Sequence, residues 1–175
     1  MDESRIPVLV GAGQITQREA DPAKALAPID LIAAAGRKAA EDAGPGQALL
    51  AALDTIVLLR SFSDTSWRFK SPFGGPSNPP KSLARRLGAE GAKRQIYTHA
   101  GGNMPQWSIN RLSEMVTRGE VRAAMVIGGE ALATQKAAGR AGLKLDWNED
   151  AGGKPEEWGV SKRGWSDAEE RHRMA

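Results

Sequence analysis

The chain has 175 residues, of which 41% are hydrophobic and 26% charged, close to the globular average and too apolar for wholesale disorder. It holds no cysteine, which excludes disulfides, thiolate metal sites and a cysteine nucleophile. Lys and Arg total 24 against 21 Asp and Glu, but the basic residues are scattered and only 5% of residues are aromatic; nucleic-acid binders cluster their charge and interleave it with aromatics, so no nucleic-acid partner is expected.

The longest apolar runs, Thr55 to Leu59 and Ala123 to Ile127, fall far short of the ~20 residues that a membrane span requires. The start, MDESR, has no apolar stretch after a basic opening, and a cytoplasmic location is expected.

Arg5 to Val10 is a short β-branched run that ends at Gly11-Ala12-Gly13, and it predicts a strand leading into a turn. Residues 28–43 read as a helix. Pro28 suits a first turn, Asp30 faces the positive end of the dipole, and Ile29, Ile32, Ala33, Gly36 and Ala40 recur at helical spacing. Gly44-Pro45-Gly46 stops it. Leu53 to Leu59 is apolar without alternation, as in a parallel strand buried on both faces.

Residues 60–80 show no periodicity and are rich in Ser, Pro and Gly, a length that in a compact domain signals a functional or disordered loop. Trp67, Phe69 and Phe73 within it suggest packing. A short helix follows from Pro80 to Leu87, then a strand from Arg94 to Thr98, a helix from Pro105 to Arg118 and a strand from Val121 to Ile127. Four alternations of strand and helix predict an α/β domain with a mostly parallel sheet. Within it, the helix at 105–118 is expected to be the more deeply buried, through Ile109, Leu112 and Met115.

From Leu132 the chain becomes polar and glycine-rich, and it divides into an α/β unit at 1–135 and a polar loop segment at 136–175. Ser166-Asp167-Ala168-Glu169 forms a capping box. The helix it opens carries no stop signal by residue 175, which reads as a truncated chain.

Two motifs dissolve on inspection. Gly11-Ala12-Gly13 lacks the third glycine, since Thr16 stands there, and Asp21-Pro22 precedes any helix, so a strand-exit turn is the better reading than a dinucleotide site. Gly164-Trp165-Ser166-Asp167-Ala168 has no strand before it and ends in alanine, so Ser166 is a helix cap and not a nucleophile. His99 and His172, the only histidines, show no metal-ligand spacing, and no metal is expected.

The strongest local signal is YTHAGGNMPQ, residues 97–106. A strand runs into a glycine pair and then into a helix N-terminus, where backbone N–H groups can meet an anion or a developing oxyanion. The carboxyl end of a parallel strand is also where ligands bind.

The order RIPVLVGAGQ, PIDLIAAAGRKAAEDAG, LDTIVLL, SNPPKSLARRLGA, YTHAGGNMPQ and GEVRAAMVIGGEAL resembles the N-terminal part of the thiolase superfamily, in its thiolase-like acetyl-CoA acetyltransferase and sterol-carrier-type branch. The resemblance covers about residues 5–135. It implies a thiolase-like βαβαβ half-fold, an acyl-CoA as substrate or ligand with no further cofactor, and acyl transfer through a cysteine at the third strand–helix junction. That cysteine position falls at Gly101, Gly102 or Asn103, none of which is a nucleophile. His99, Asn103, Met104 and Gln106 are the residues placed to meet a substrate there. The family's remaining histidine and second cysteine belong to a C-terminal half outside this chain. Relatives without the cysteine imply two alternatives: acyl-CoA or partner binding without turnover, or steroid side-chain carbon–carbon cleavage alongside a small OB-fold chain. The resemblance further implies a homodimer in which Arg94–Thr98 pairs with its copy across a two-fold axis, and an isolated half-fold is not expected to be a well-behaved monomer.

Overall fold

A computed structural model describes residues 5–65 and 69–159. The central strand is β1 (Thr55–Leu58), buried along its whole length. It pairs in parallel with β2 (Arg94–Thr98) on one side and β3 (Ala124–Ile127) on the other, and a short β4 (Glu156–Trp158) adds in parallel to β2. The sheet order is β3-β1-β2-β4. Strand periodicity divides the core. Ile56, Leu58 and Tyr97 face a cluster with α1 (Pro28–Asp42), α2 (Gln47–Ala52) and α3 (Pro79–Leu87); Val57 and Ile96 face Leu112 and Met115 of α4 (Met104–Thr117).

Close approach and capping set the helices. A β-carbon at Gly36 would lie 3.0 Å from Ile127 Cδ1 and 3.1 Å from Leu87 Cδ2, so α1 settles tightly between β3 and α3. The Asn78 side chain accepts from Lys81 N–H at the start of α3, and Gly88, at φ 68°, ends it in the left-handed region.

Several expectations are corrected. Arg5 to Val10 forms no strand and pairs with none among the described residues. Gly11 and Gly13 draw the segment onto α1 instead: β-carbons there would lie 2.4 Å from the backbone of Ala39, and Ala12 N–H donates to Asp42 Oδ2 at 2.9 Å. Val8 and Leu9 are left 73% and 85% exposed. Helix α4 is not the more buried one. Leu112 and Met115 are buried, but Ile109 is 43% exposed, because α4 meets the sheet on one face and nothing among the described residues covers the other.

The segment after 135 is more structured than its composition suggested, with α5 (Leu132–Arg140) and β4. It is also tied into the α/β unit. Glu149 bonds Ser82 and pairs with Arg86 at 2.6 Å, Ser77 N–H donates to Glu149 O at 2.8 Å, and Trp147 packs edge-on against Phe73 with centroids 5.1 Å apart. Phe73 thereby justifies the packing expected of the long loop, and Phe69 lies on Phe62. Since β4 occupies the outer edge of β2 from Ile96 to Thr98, the strand pairing across a two-fold axis finds no free edge there. Trp67, Trp165, His172 and the capping box at Ser166–Glu169 lie outside the described residues.

Candidate functional site

The tips of β1 and β2 feed loops to opposite faces of the sheet: β1 leads to α3, β2 to α4. That divergence is the switch point at which open α/β sheets place ligands. Arg60, two residues past β1, fills it. Its Nε–H donates to Thr98 O at 2.8 Å, and its guanidinium pairs with Asp64 at 2.6 Å and Glu157 at 3.0 Å. The Arg60 side chain is 2% exposed, so its charge is held by partners and not by water. Arg60 N–H also donates to Thr98 Oγ1, which in turn donates to His99 O.

On the α4 side lies the glycine junction. Gly101, Gly102 and Asn103 are exposed, and Asn103 occupies the cap position without a side-chain cap bond. The helix offers fewer donors than its position suggested. Met104 N–H is taken by Gly101 O at 3.0 Å, and Pro105 has no N–H. Gln106 N–H, in the first turn, meets no acceptor among the described residues. Met104 is 1% exposed, so its side chain anchors α4 to the core and only its backbone borders the junction. The Gln106 side chain turns along the helix to Asn110 Oδ1 at 2.8 Å.

His99 sits at the base of the same junction. Its N–H donates to Trp158 O at 2.9 Å, and its Nδ1 is buried without a partner among the described residues. Burial, with a smaller push from Arg60, holds its pKa below the usual histidine value and favours the neutral ring. A β-carbon at Gly159 would fall 2.1 Å from His99 Nδ1, so glycine is required there for the ring to fit. Of the residues singled out from sequence, His99, the glycine pair, Asn103 and the first turn of α4 are thus gathered around one loop.

On the opposite face the same strand tips border a cavity of about 300 Å³. Ile29 and Ile32 of α1, Leu58 at the end of β1, Leu59 just past it, and Trp147 supply its apolar wall; Ser63, Asp64 and Tyr97 supply polar groups. None of residues 99–106 lines it. Burial first, and then the charge of Asp64, push the Tyr97 hydroxyl well above its ordinary pKa, so it stays protonated. Sequence reasoning missed this face. The available signals were a charged residue directly after an apolar strand, Arg60, and the chain's only tyrosine, Tyr97.

No group of three or more His, Asp or Glu able to hold a metal occurs among the described residues, and no described helix is long and apolar enough to cross a membrane. No family model matches the chain, and no curated protein matches it. A solved structure does: a monomeric SCP2-thiolase-like protein, type 1, from Mycobacterium smegmatis, with a TM-score of 0.60 and 26% identity over 74% of this chain. The chain spans 24% of the length of that protein. With its all-parallel sheet flanked by helices, this α/β chain has a thiolase-like fold, similar to part of an SCP2-thiolase-like protein.

Proposed function

We propose that this chain is the N-terminal α/β unit of a thiolase-like, acyl-CoA-binding protein of the acyltransferase type, and that it holds a thioester at Gly101–Gln106 without itself forming an acyl-enzyme. One observation carries the reading. At the turn where β2 passes into α4, the chain keeps an open glycine loop and an unpaired N–H at Gln106, but has no thiol there or elsewhere. A thioester carbonyl set against Gln106 N–H would be polarised by the helix dipole. Glycine cannot attack it, and the neutral His99 ring has no nucleophile to activate. Acyl-CoA is the partner this reading requires, and thiolysis is what it excludes for this chain.

The test is calorimetry of the chain with acetyl-CoA, alongside an assay for released CoA thiol. Gly102 has open space where a β-carbon would stand, so Gly102→Asp sets a carboxylate at the junction without a steric clash. The reading expects saturable binding, roughly tenfold weaker in Gly102→Asp through repulsion of the carbonyl oxygen, and no thiol release. Absence of binding, indifference to Gly102→Asp, or catalytic release of CoA would each overturn it.

A further inference from the structure

We propose that the cavity under α1 binds an apolar carboxylic acid, with its carboxylate on the wall formed by residues 70–75 and 147–148. The volume, about 300 Å³, is at the lower end of small-molecule sites, and most of the lining is apolar. The two stretches of that wall are joined. Trp147 N–H donates to Phe73 O at 2.8 Å, and their rings pack edge-on. A β-carbon at Gly74 would lie 2.0 Å from Asn148 Oδ1, so that amide rests directly on the Gly74 backbone. The wall carries donors that nothing yet meets. Among the described residues, Lys70 has no ion pair or hydrogen bond, and Gly75 N–H and the Trp147 indole N–H find no acceptor. Ser71 Oγ accepts from Phe73 N–H at 3.2 Å and keeps its own proton free. Asn148 gives one amide proton to Asp146 Oδ1 at 2.8 Å and keeps the other. Gln135 of α5 adds an amide without a partner among the described residues.

The strand-tip side is engaged with itself. Asp64 pairs with Arg60 at 2.6 Å, Ser63 and Ser61 share a hydrogen bond at 2.7 Å, and Glu130 receives Ser61 Oγ–H and Phe62 N–H. Asp146 is exposed and outside the lining, so water screens its charge. The unmet groups are therefore mainly donors, together with one unmatched cation, Lys70, and a ligand must bring acceptors. An ammonium brings further donors and meets Lys70. A neutral amide or hydroxyl can accept, but leaves Lys70 without a counter-charge. A carboxylate supplies two acceptor oxygens and the single negative charge that Lys70 lacks, while an apolar body fills the space along Ile29, Ile32 and Leu58. The site lies on the face of the sheet opposite α4 and does not depend on the thioester reading of the glycine junction.

The experiment titrates three probes of one chain length, decanoate, decanamide and decylammonium, into the full chain by calorimetry. Decanoate is expected to bind saturably, about tenfold more tightly than decanamide, with decylammonium weakest. Lys70→Met should remove the margin of decanoate over decanamide and leave decanamide binding as it was; Lys70 is exposed, so this variant keeps the fold. Ile32→Trp fills the cavity from α1 and should abolish binding of all three. Should Ile32→Trp fail to fold, Lys70→Met decides alone. No saturable binding of decanoate, equal or tighter binding of decanamide or decylammonium, a margin unchanged in Lys70→Met, or binding that survives in a folded Ile32→Trp would each overturn the proposal.

Discussion

The Arg60 guanidinium carbon stands 4.0 Å above the centre of the Tyr97 ring, inside the angle where the β1 and β2 loops part. One side chain thus joins the two strand tips and supplies a charge that weighs on His99. Because Arg60 is so fully buried, its loss would remove the ion pairs it makes with Asp64 and Glu157 and the cation over the Tyr97 ring. Both carboxylates are about half exposed, so water recovers part of the loss. Arg60→Met is expected to cost about 2–3 kcal/mol in urea denaturation. A cost under about 0.5 kcal/mol would show that the network is incidental.

Glu149 gives a pH dependence with a definite sign. Burial works to raise its pKa, but hydrogen bonds from Ser82 and Arg86 outweigh burial and hold it below the ordinary value of 4.5. Glu156 is held below the same value chiefly by its bond to Arg94. A carboxylate with a depressed folded pKa contributes stability that is fully present above its unfolded value and is lost as pH falls through the folded value. Thermal melts should therefore be flat from neutrality to about pH 5 and fall below about pH 4.5. Glu149→Gln should lower the melting temperature at neutral pH and flatten that acid limb; an unchanged limb would remove Glu149 from the account.

The amino-terminal segment predicts self-association. Ile6, Val8, Leu9 and Val10 are exposed within five residues of one another, and β3 has β1 as its only strand partner among the described residues. Exposed apolar side chains and an unpaired strand edge each favour contacts between chains. Light scattering at micromolar concentration should give a mass above that of one chain, and Val8→Lys with Leu9→Lys should reduce it. A clean monomer mass for the unaltered chain would contradict this, and would match the monomeric state of its mycobacterial structural neighbour.

Much of the central architecture was legible because it rests on strong local patterns. Thr55 to Leu58 has no polar alternation, and Pro28 and Pro105 sit where helices begin. What escaped was decided by tertiary contacts. Arg5 to Val10 has the composition of a strand, yet Gly11 and Gly13 bind it to α1. Glu156 and Glu157 have low strand propensity, and β4 forms there because Arg94 and Arg60 receive their carboxylates. The junction at 99–106 was visible through its glycine pair, whereas the cavity on the other face is assembled from α1, β1, β2 and the 147–148 region, which no local motif connects.

The central claim is that Gly101-Gly102-Asn103 keeps the setting of a nucleophile site without the nucleophile. A chain with no native cysteine allows a direct measurement: single cysteines placed there and their alkylation rate followed against pH. Gly102→Cys enters open space, whereas a β-carbon at Gly101 would stand 2.8 Å from Asn103 Oδ1 and must displace that amide. The thiol of Gly102→Cys, two residues before the positive end of α4, is expected to titrate about one unit below the free value of about 8.5. Titration near 8.5 in Gly101→Cys, Gly102→Cys and Asn103→Cys alike would make the junction an ordinary turn and contradict the account.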